Sequence, residues 1–207
     1  IPANQPVFTT GSINGQPVLT FAGNQVLNSG SVTLSSLTVF AVFNASASPP
    51  YGGMVYEHNN RSTGGTPGSN LVTSDTCTMT VNRSGSETTK NLAPNWAEDG
   101  NTRIVTQAYD GTHTGHTLSI NNAPQILTDC NLSPDPGIAI LSAGAYIGAQ
   151  AGNNCCGLNG DIAELIFFNE NLPDVQKILV ENYLSAKYNI TLASNDYYDG
   201  DTPANGD

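Results

Sequence analysis

Charge is scarce in this sequence. Only 11% of its 207 residues are charged, and 6 Lys or Arg face 17 Asp or Glu, for a formal net charge of -11. A surface so poor in cations repels polyanions, which argues against DNA, RNA and anionic membranes as partners. Three His, one Trp and two Met complete a short supply of reactive and bulky groups, leaving few side chains for acid–base chemistry. No apolar run reaches the roughly 18 residues of a membrane-spanning helix. Nor is there a recognisable signal peptide. The chain starts at Ile1 without Met, which reads as a processed or excised piece.

What is abundant is Gly, Asn, Ser and Thr. That mixture suits short strands joined by tight turns, whereas an all-helical protein carries more Glu, Lys, Leu and Ala. The length fits one domain of sandwich or barrel size. Four cysteines, Cys77, Cys130, Cys155 and Cys156, lack zinc-ribbon spacing and read as disulfides formed outside the cytosol. Neighbouring Cα atoms lie about 3.8 Å apart, while disulfides prefer about 5.5 Å. Cys155 and Cys156 are therefore expected to pair outward with Cys77 and Cys130, in either order. Sequons at Asn44, Asn60, Asn82, Asn131 and Asn189 carry no weight, because so many Asn, Ser and Thr give about four by chance.

Strand signals recur along the chain. Gln16 to Gly23 alternates. In Ser36 to Ser46, Leu37, Val39, Ala41 and Phe43 share one face, and Thr38, Phe40 and Val42 the other; both faces are apolar, which predicts a central strand covered on two sides. Further strands are expected in Gly53 to Asn59, Thr76 to Arg83, Thr102 to Gly111, His116 to Leu127, Ala145 to Gln150 and Gly160 to Asn169, with a hairpin turn at Asn121-Asn122 because Asn tolerates positive φ. Arg61 to Asn70 and Asn91 to Asn101 read as loops. At Pro173 the period changes from 2 to 3.6. Pro173 and Asp174 suit a helix start. Val175, Ile178, Leu179 and Tyr183, widened by Val180, Leu184 and Tyr188, predict an amphipathic helix near residues 173 to 187 packed by that stripe. Residues 1–192 form the expected domain. Residues 193–207 are acidic and aperiodic, either a tail or the start of another module. Many short strands and one terminal helix predict an all-β, two-sheet antiparallel sandwich.

Several segments resemble laminin-G-like, concanavalin A-like jelly rolls: "AYDGTHTGHTLSINNAP" the strand–hairpin segment, "AYIGAQ" and "LNGDIAELIFFNENLPDVQ" the closing strands and helix start, "VENYLSAKYNITL" the next helix, and "INGQPVLTFAGNQVL" the opening strand pair. The similarity runs from about residue 13 to 192 and is weak over residues 45 to 100. Asn122 stands where the hairpin usually has Gly, and Pro173 where a capping Ser is common. The resemblance implies a jelly roll from a large bacterial extracellular or surface protein, since "DYYDGDTPANGD" is similar to the segment C-terminal to this domain in such chains. It also implies calcium held by Asp side chains in rim loops, with Asp110 the first choice of ligand and Asp99, Glu98 and Asp161 further candidate donors that the sequence does not bring together. No cofactor is otherwise required.

Some members of this fold are glycosidases, which need two carboxylates on one face of a strand. Asp161 and Glu164 are three apart, and simple alternation sends i and i+3 to opposite faces; no E-x-D-x-x-E occurs. The pair therefore reads as scaffold, and the chain as not an enzyme. His113-x-x-His116 and His58 read as solvated loop histidines and not a zinc site. Trp96, Tyr51, Asn95 and Asn153 are the candidate ligand-binding residues, because exposed aromatic faces stack on sugars and amides bond their hydroxyls. The expected function is a non-catalytic extracellular binding or adhesion module, monomeric within a longer chain, recognising a glycan or protein through loops at one sandwich rim. A polysaccharide hydrolase or lyase, or a structural spacer, is the alternative.

Overall fold

The computed structural model describes residues 5–34, 36–46, 53–58, 68–73, 79–83, 86–91, 96–110, 115–132, 141–149 and 156–197. Among the described residues, fourteen strands form two antiparallel seven-stranded sheets. The first sheet runs β1 (Val7–Gly11), β2 (Gly15–Ala22), β14 (Asn159–Phe168), β4 (Leu37–Ala45), β9 (Arg103–Tyr109), β10 (His116–Ile120), β11 (Ala123–Pro124). The second runs β12 (Thr128–Leu132), β8 (Ser86–Asn91), β7 (Met79–Arg83), β6 (Gly68–Val72), β5 (Met54–His58), β13 (Leu141–Ile147), β3 (Leu27–Leu34). One helix, α1 (Asp174–Tyr188), closes the described chain. No helix among the described residues is long and apolar enough to cross a membrane.

Two cores lie one on each side of the first sheet. Leu37, Val39, Ala41 and Phe43 of β4 point between the sheets, with Phe21, Val55, Tyr56, Val105 and Ile162. Phe40 and Val42 point outward, into a second core with Ile104, Leu184, Tyr188 and Ile190. The doubly apolar β4 is thus covered on both faces, as its sequence predicts. Packing here leaves little space: a Cβ on Gly160 of β14 would fall 2.2 Å from the carbonyl oxygen of Asn44, so only Gly lets these two backbones approach. The β10–β11 turn has Asn121 and Asn122 at φ 49° and 59°, the left-handed pair expected of this hairpin.

α1 has the expected length, and Leu184 and Tyr188 of the expected stripe are buried, but the rest of that stripe is not. Val175, Leu179 and Tyr183 are 69%, 53% and 51% exposed. Glu181, Asn182, Leu184, Ser185 and Tyr188 are buried instead. Hydrogen bonds make this polar face buriable. Glu181 Oε1 accepts from Thr106 Oγ1 at 2.5 Å and Ser119 Oγ at 2.9 Å. Ser185 Oγ donates to the Ile190 carbonyl at 2.7 Å. Asn182 Nδ2 donates to the Ile178 and Asn195 carbonyls, and its Oδ1 accepts from Tyr197 N–H. The last of these bonds, with Ser194 Oγ donating to the Asn122 carbonyl, tie residues 194–197 to the body, beyond the boundary drawn at residue 192. α1 ends on Asn189 in the left-handed region, φ 55°.

Two histidines are not solvated as expected. His58 is fully buried, and His116 is 6% exposed with its ring 4.5 Å from that of Tyr109. His113 lies outside the described residues.

Candidate functional site

β14 carries a β-bulge. Ile162 pairs with Phe43 and Glu164 with Val42, which are consecutive on β4, so Ala163 is an extra residue. The bulge corrects the expectation for the acidic pair. Ile162 faces the inter-sheet core, and Ala163 packs on the outer one. Asp161 bonds Asn44 and Thr20, whose neighbours Phe43 and Phe21 point inward, and Glu164 meets α1. Both carboxylates therefore project from the same, outer face of the first sheet.

Each is nevertheless engaged. Asp161 accepts from Thr20 Oγ1 at 2.6 Å, Asn44 Nδ2 at 3.2 Å and Ser12 Oγ at 3.5 Å. Glu164 Oε2 pairs with Lys187 Nζ at 2.9 Å and accepts from Tyr188 Oη at 2.8 Å. Burial disfavours the ammonium of Lys187, but its bonds to Glu164 and Tyr183 and the Glu164 charge outweigh that and raise its pKa. Burial, with the bond to Glu164, pushes the Tyr188 phenol up to about 12. These groups lock the end of α1 to β14.

Beside them lies a rim groove of about 580 Å³. Its walls come from the β1–β2 turn (Ser12, Asn14), the end of β4 (Asn44), the start of β9 (Thr102), the β10–β11 turn (Asn121) and the residues just past α1 (Asn189). No charged side chain lines it among the described residues. Turn chemistry supplies the amides: Asn14, Asn121 and Asn189 all have positive φ, a conformation Asn tolerates. Asn14 Nδ2 donates to the Lys187 carbonyl, and Asn121 Oδ1 accepts from Ile104 N–H. That leaves Asn14 Oδ1 and Asn121 Nδ2 directed to no partner in the described structure, and the groove offers both acceptors and donors.

The residues singled out from sequence sit elsewhere. Trp96 packs edge-on against Phe43, ring centroids 6.3 Å apart, and its Nε1–H donates to the Val72 carbonyl, so it supports the inter-sheet core. Asp99 accepts from the backbone and side chain of Asn101 and pairs with Arg103; the Asn101 backbone bond leads in lowering its pKa. Asp99 precedes β9 and Asp110 comes just after it. Seven extended residues at about 3.3 Å each put them about 20 Å apart, so they do not meet at one calcium ion. No group of three or more His, Cys, Asp or Glu suited to a metal occurs among the described residues. Tyr51, Asn95 and Asn153, with Cys77 and Cys155, lie outside the described residues. Cys130 falls within β12, and Cys156 takes φ 59° just ahead of β14.

No family model matches the sequence, and no curated protein matches it. Solved structures do. Domain 4 of AbnA, an extracellular GH43 arabinanase from Geobacillus stearothermophilus in complex with arabinotriose, aligns with TM-score 0.58 at 13% identity, over 83% of this chain and 79% of that one. The CBM40 of Ruminococcus gnavus IT-sialidase, bound to α2,3-sialyllactose, aligns with TM-score 0.51 at 12% identity, over 72% of this chain and 83% of that one. At such identities the likeness concerns architecture alone, and it agrees with the strand order: the chain is a two-sheet antiparallel jelly-roll sandwich of concanavalin A-like fold with one C-terminal helix.

Proposed function

We propose that this domain is a non-catalytic, laminin-G-like module of an extracellular protein, and that its rim groove binds a neutral glycan. The observation that carries the reading is the lining: amides and hydroxyls from five separate segments, with no charged side chain among the described residues. Sugar hydroxyls donate and accept at once, and Asn and Thr side chains answer both needs. A carboxylated sugar would call for Arg or Lys at the contact, which the groove lacks. The arabinotriose and sialyllactose held by the two structural neighbours lend precedent for sugar binding on this architecture.

A shallow groove predicts a weak single-site affinity, in the micromolar to millimolar range, strengthened by repetition. The test is a glycan array followed by calorimetry. Asn189→Gly keeps the left-handed cap, because Gly adopts it without strain, and removes one amide. Thr102→Val removes one hydroxyl at nearly constant shape. Each should weaken binding several-fold at an unchanged melting temperature, since a neutral hydrogen bond contributes about 0.5–1.5 kcal/mol. Binding confined to acidic glycans, or untouched by both substitutions, refutes the assignment.

The shared face of Asp161 and Glu164 keeps a hydrolase as the second reading. Polysaccharide cleavage by the chain, lost in both Asp161→Asn and Glu164→Gln, would establish it. The hydrogen bonds on Asp161 and the ion pair and phenol bond on Glu164 argue for scaffold.

A further inference from the structure

A second cleft, of about 360 Å³, opens between α1 and the strands β9 to β11. Its floor holds Glu181, a carboxylate only 3% exposed. Both hydroxyls that reach this carboxylate, from Thr106 and Ser119, bond the same oxygen, Oε1. No hydrogen bond among the described residues reaches Oε2. Oε2 is not among the fully buried unpartnered atoms, so it stays open to the cleft as an acceptor.

A second group in the same wall is also short of a partner. Asn122 is 8% exposed; its Oδ1 accepts from Ser194 Oγ, while its Nδ2 has no hydrogen-bond partner. The cleft thus keeps one unused acceptor and one unused donor. Lys177 contributes a cationic donor at the edge, where Asp174 holds it at 3.4 Å. Leu118, Pro124 and Ile178 add an apolar wall. Burial raises the Glu181 pKa despite its two hydrogen bonds and the nearby Lys177, so the carboxylate is under-solvated where it stands.

We infer that this helix–sheet cleft is a second sugar subsite, distinct from the rim groove, in which Glu181 Oε2 accepts from one ring hydroxyl while Asn122 Nδ2 and Lys177 Nζ donate to its neighbours. Adjacent ring hydroxyls suit an acceptor flanked by donors, and the C–H face of a pyranose or furanose suits the Leu118–Pro124–Ile178 wall. A free cation is the poorer occupant, since Lys177 already supplies positive charge. The inference rests on the reading of the domain as a glycan-binding module.

The experiment is a titration of the ¹⁵N-labelled 207-residue chain with the methyl glycosides of glucose, galactose, mannose and arabinose, followed by amide chemical shifts. Saturable shifts are expected at Ser119, Asn122 and Lys177 for at least one glycoside. Glu181→Gln keeps an oxygen for Thr106 and Ser119 but turns the free acceptor into a donor. It should weaken this set of shifts about tenfold or more, as loss of a charged hydrogen bond does, and leave any shifts at Asn14, Thr102 and Asn189 unchanged. Shifts at the rim residues alone overturn the cleft subsite and spare the rim proposal; shifts at the cleft alone do the reverse. Silence at both refutes both. Cleft shifts that Glu181→Gln does not weaken remove Glu181 from the site.

Discussion

The seating of α1 can be tested by a pair of substitutions of the same chemistry. Leu184 is fully buried in the outer core beside Phe40, Val42, Ile104 and Tyr188. Leu179, barely more than one turn earlier, is 53% exposed. Leu184→Ala removes buried carbon and leaves a cavity against a sheet that cannot fully collapse around it, at a cost of about 2–5 kcal/mol. For a domain of this size each kcal/mol moves the melting temperature by about 2–4 °C, so a fall of roughly 4–20 °C is expected. Leu179→Ala gives up contacts made mostly with water and should stay within about 0.5 kcal/mol of the parent. Urea melts followed by circular dichroism, at equal slope, give both values. If Leu179→Ala were the costlier substitution, the helix would be seated on the Val175–Leu179–Tyr183 stripe, and the burial of its polar Glu181–Asn182–Ser185 face would be wrong.

Three further outcomes rest on the same contacts. Because burial raises the Glu181 pKa above its ordinary 4.5, the folded chain binds that proton more tightly than the unfolded one, and stability from this group is present at acid pH and lost as pH rises through the folded value. Glu181→Gln should therefore show no advantage below about pH 4 and melt above the parent near neutrality; a constant offset in urea midpoints across that range would contradict the assignment. Asp161→Ala strands the donors of Thr20, Asn44 and Ser12 and should cost about 1–3 kcal/mol in thermal or urea melts. Trp96→Ala, which breaks the Phe43 contact and the bond to Val72, should lower the melting temperature by several degrees at a cost of a few kcal/mol; an unchanged melting temperature with lost glycan binding would return Trp96 to the role of sugar platform.

The sequence reveals elements whose pattern is made by apolar side chains. β4 is legible because Leu37 to Phe43 is apolar on both faces, and the helix length because Pro173 opens it and the helical spacing runs on to Tyr188. β8, "SETTKN", has no apolar residue to mark a face. Part of the α1 face escapes for a related reason: Glu181, Asn182 and Ser185 are buried through hydrogen bonds whose partners lie 4 to 75 residues away, so hydrophobic periodicity finds Leu184 and Tyr188 but puts Val175, Leu179 and Tyr183 on the wrong side. The rim groove shows the same limit. Asn121 reads as a turn residue in the sequence and Asn14 and Asn189 prove to be ones as well, but only the strand order brings the three turns to one end of the sheet. Trp96 drew attention as a lone aromatic in a polar loop, and the packing of its ring against Phe43 lies beyond any local pattern.

The extra residue at Ala163 divides β14 into two phases. Before it, odd-numbered Asp161 faces outward; after it, even-numbered Glu164, Ile166 and Phe168 do. Loss of a single residue here would not shorten a loop. Without Ala163, plain alternation from Ile162 would still send Glu164, Ile166 and Phe168 outward and Leu165 and Phe167 inward, so the bulge would vanish and both cores would keep their contents. Loss of a residue beyond the bulge would instead keep the extra residue and reverse every later side chain, so β14 should tolerate a change of length at Ala163 better than one farther along.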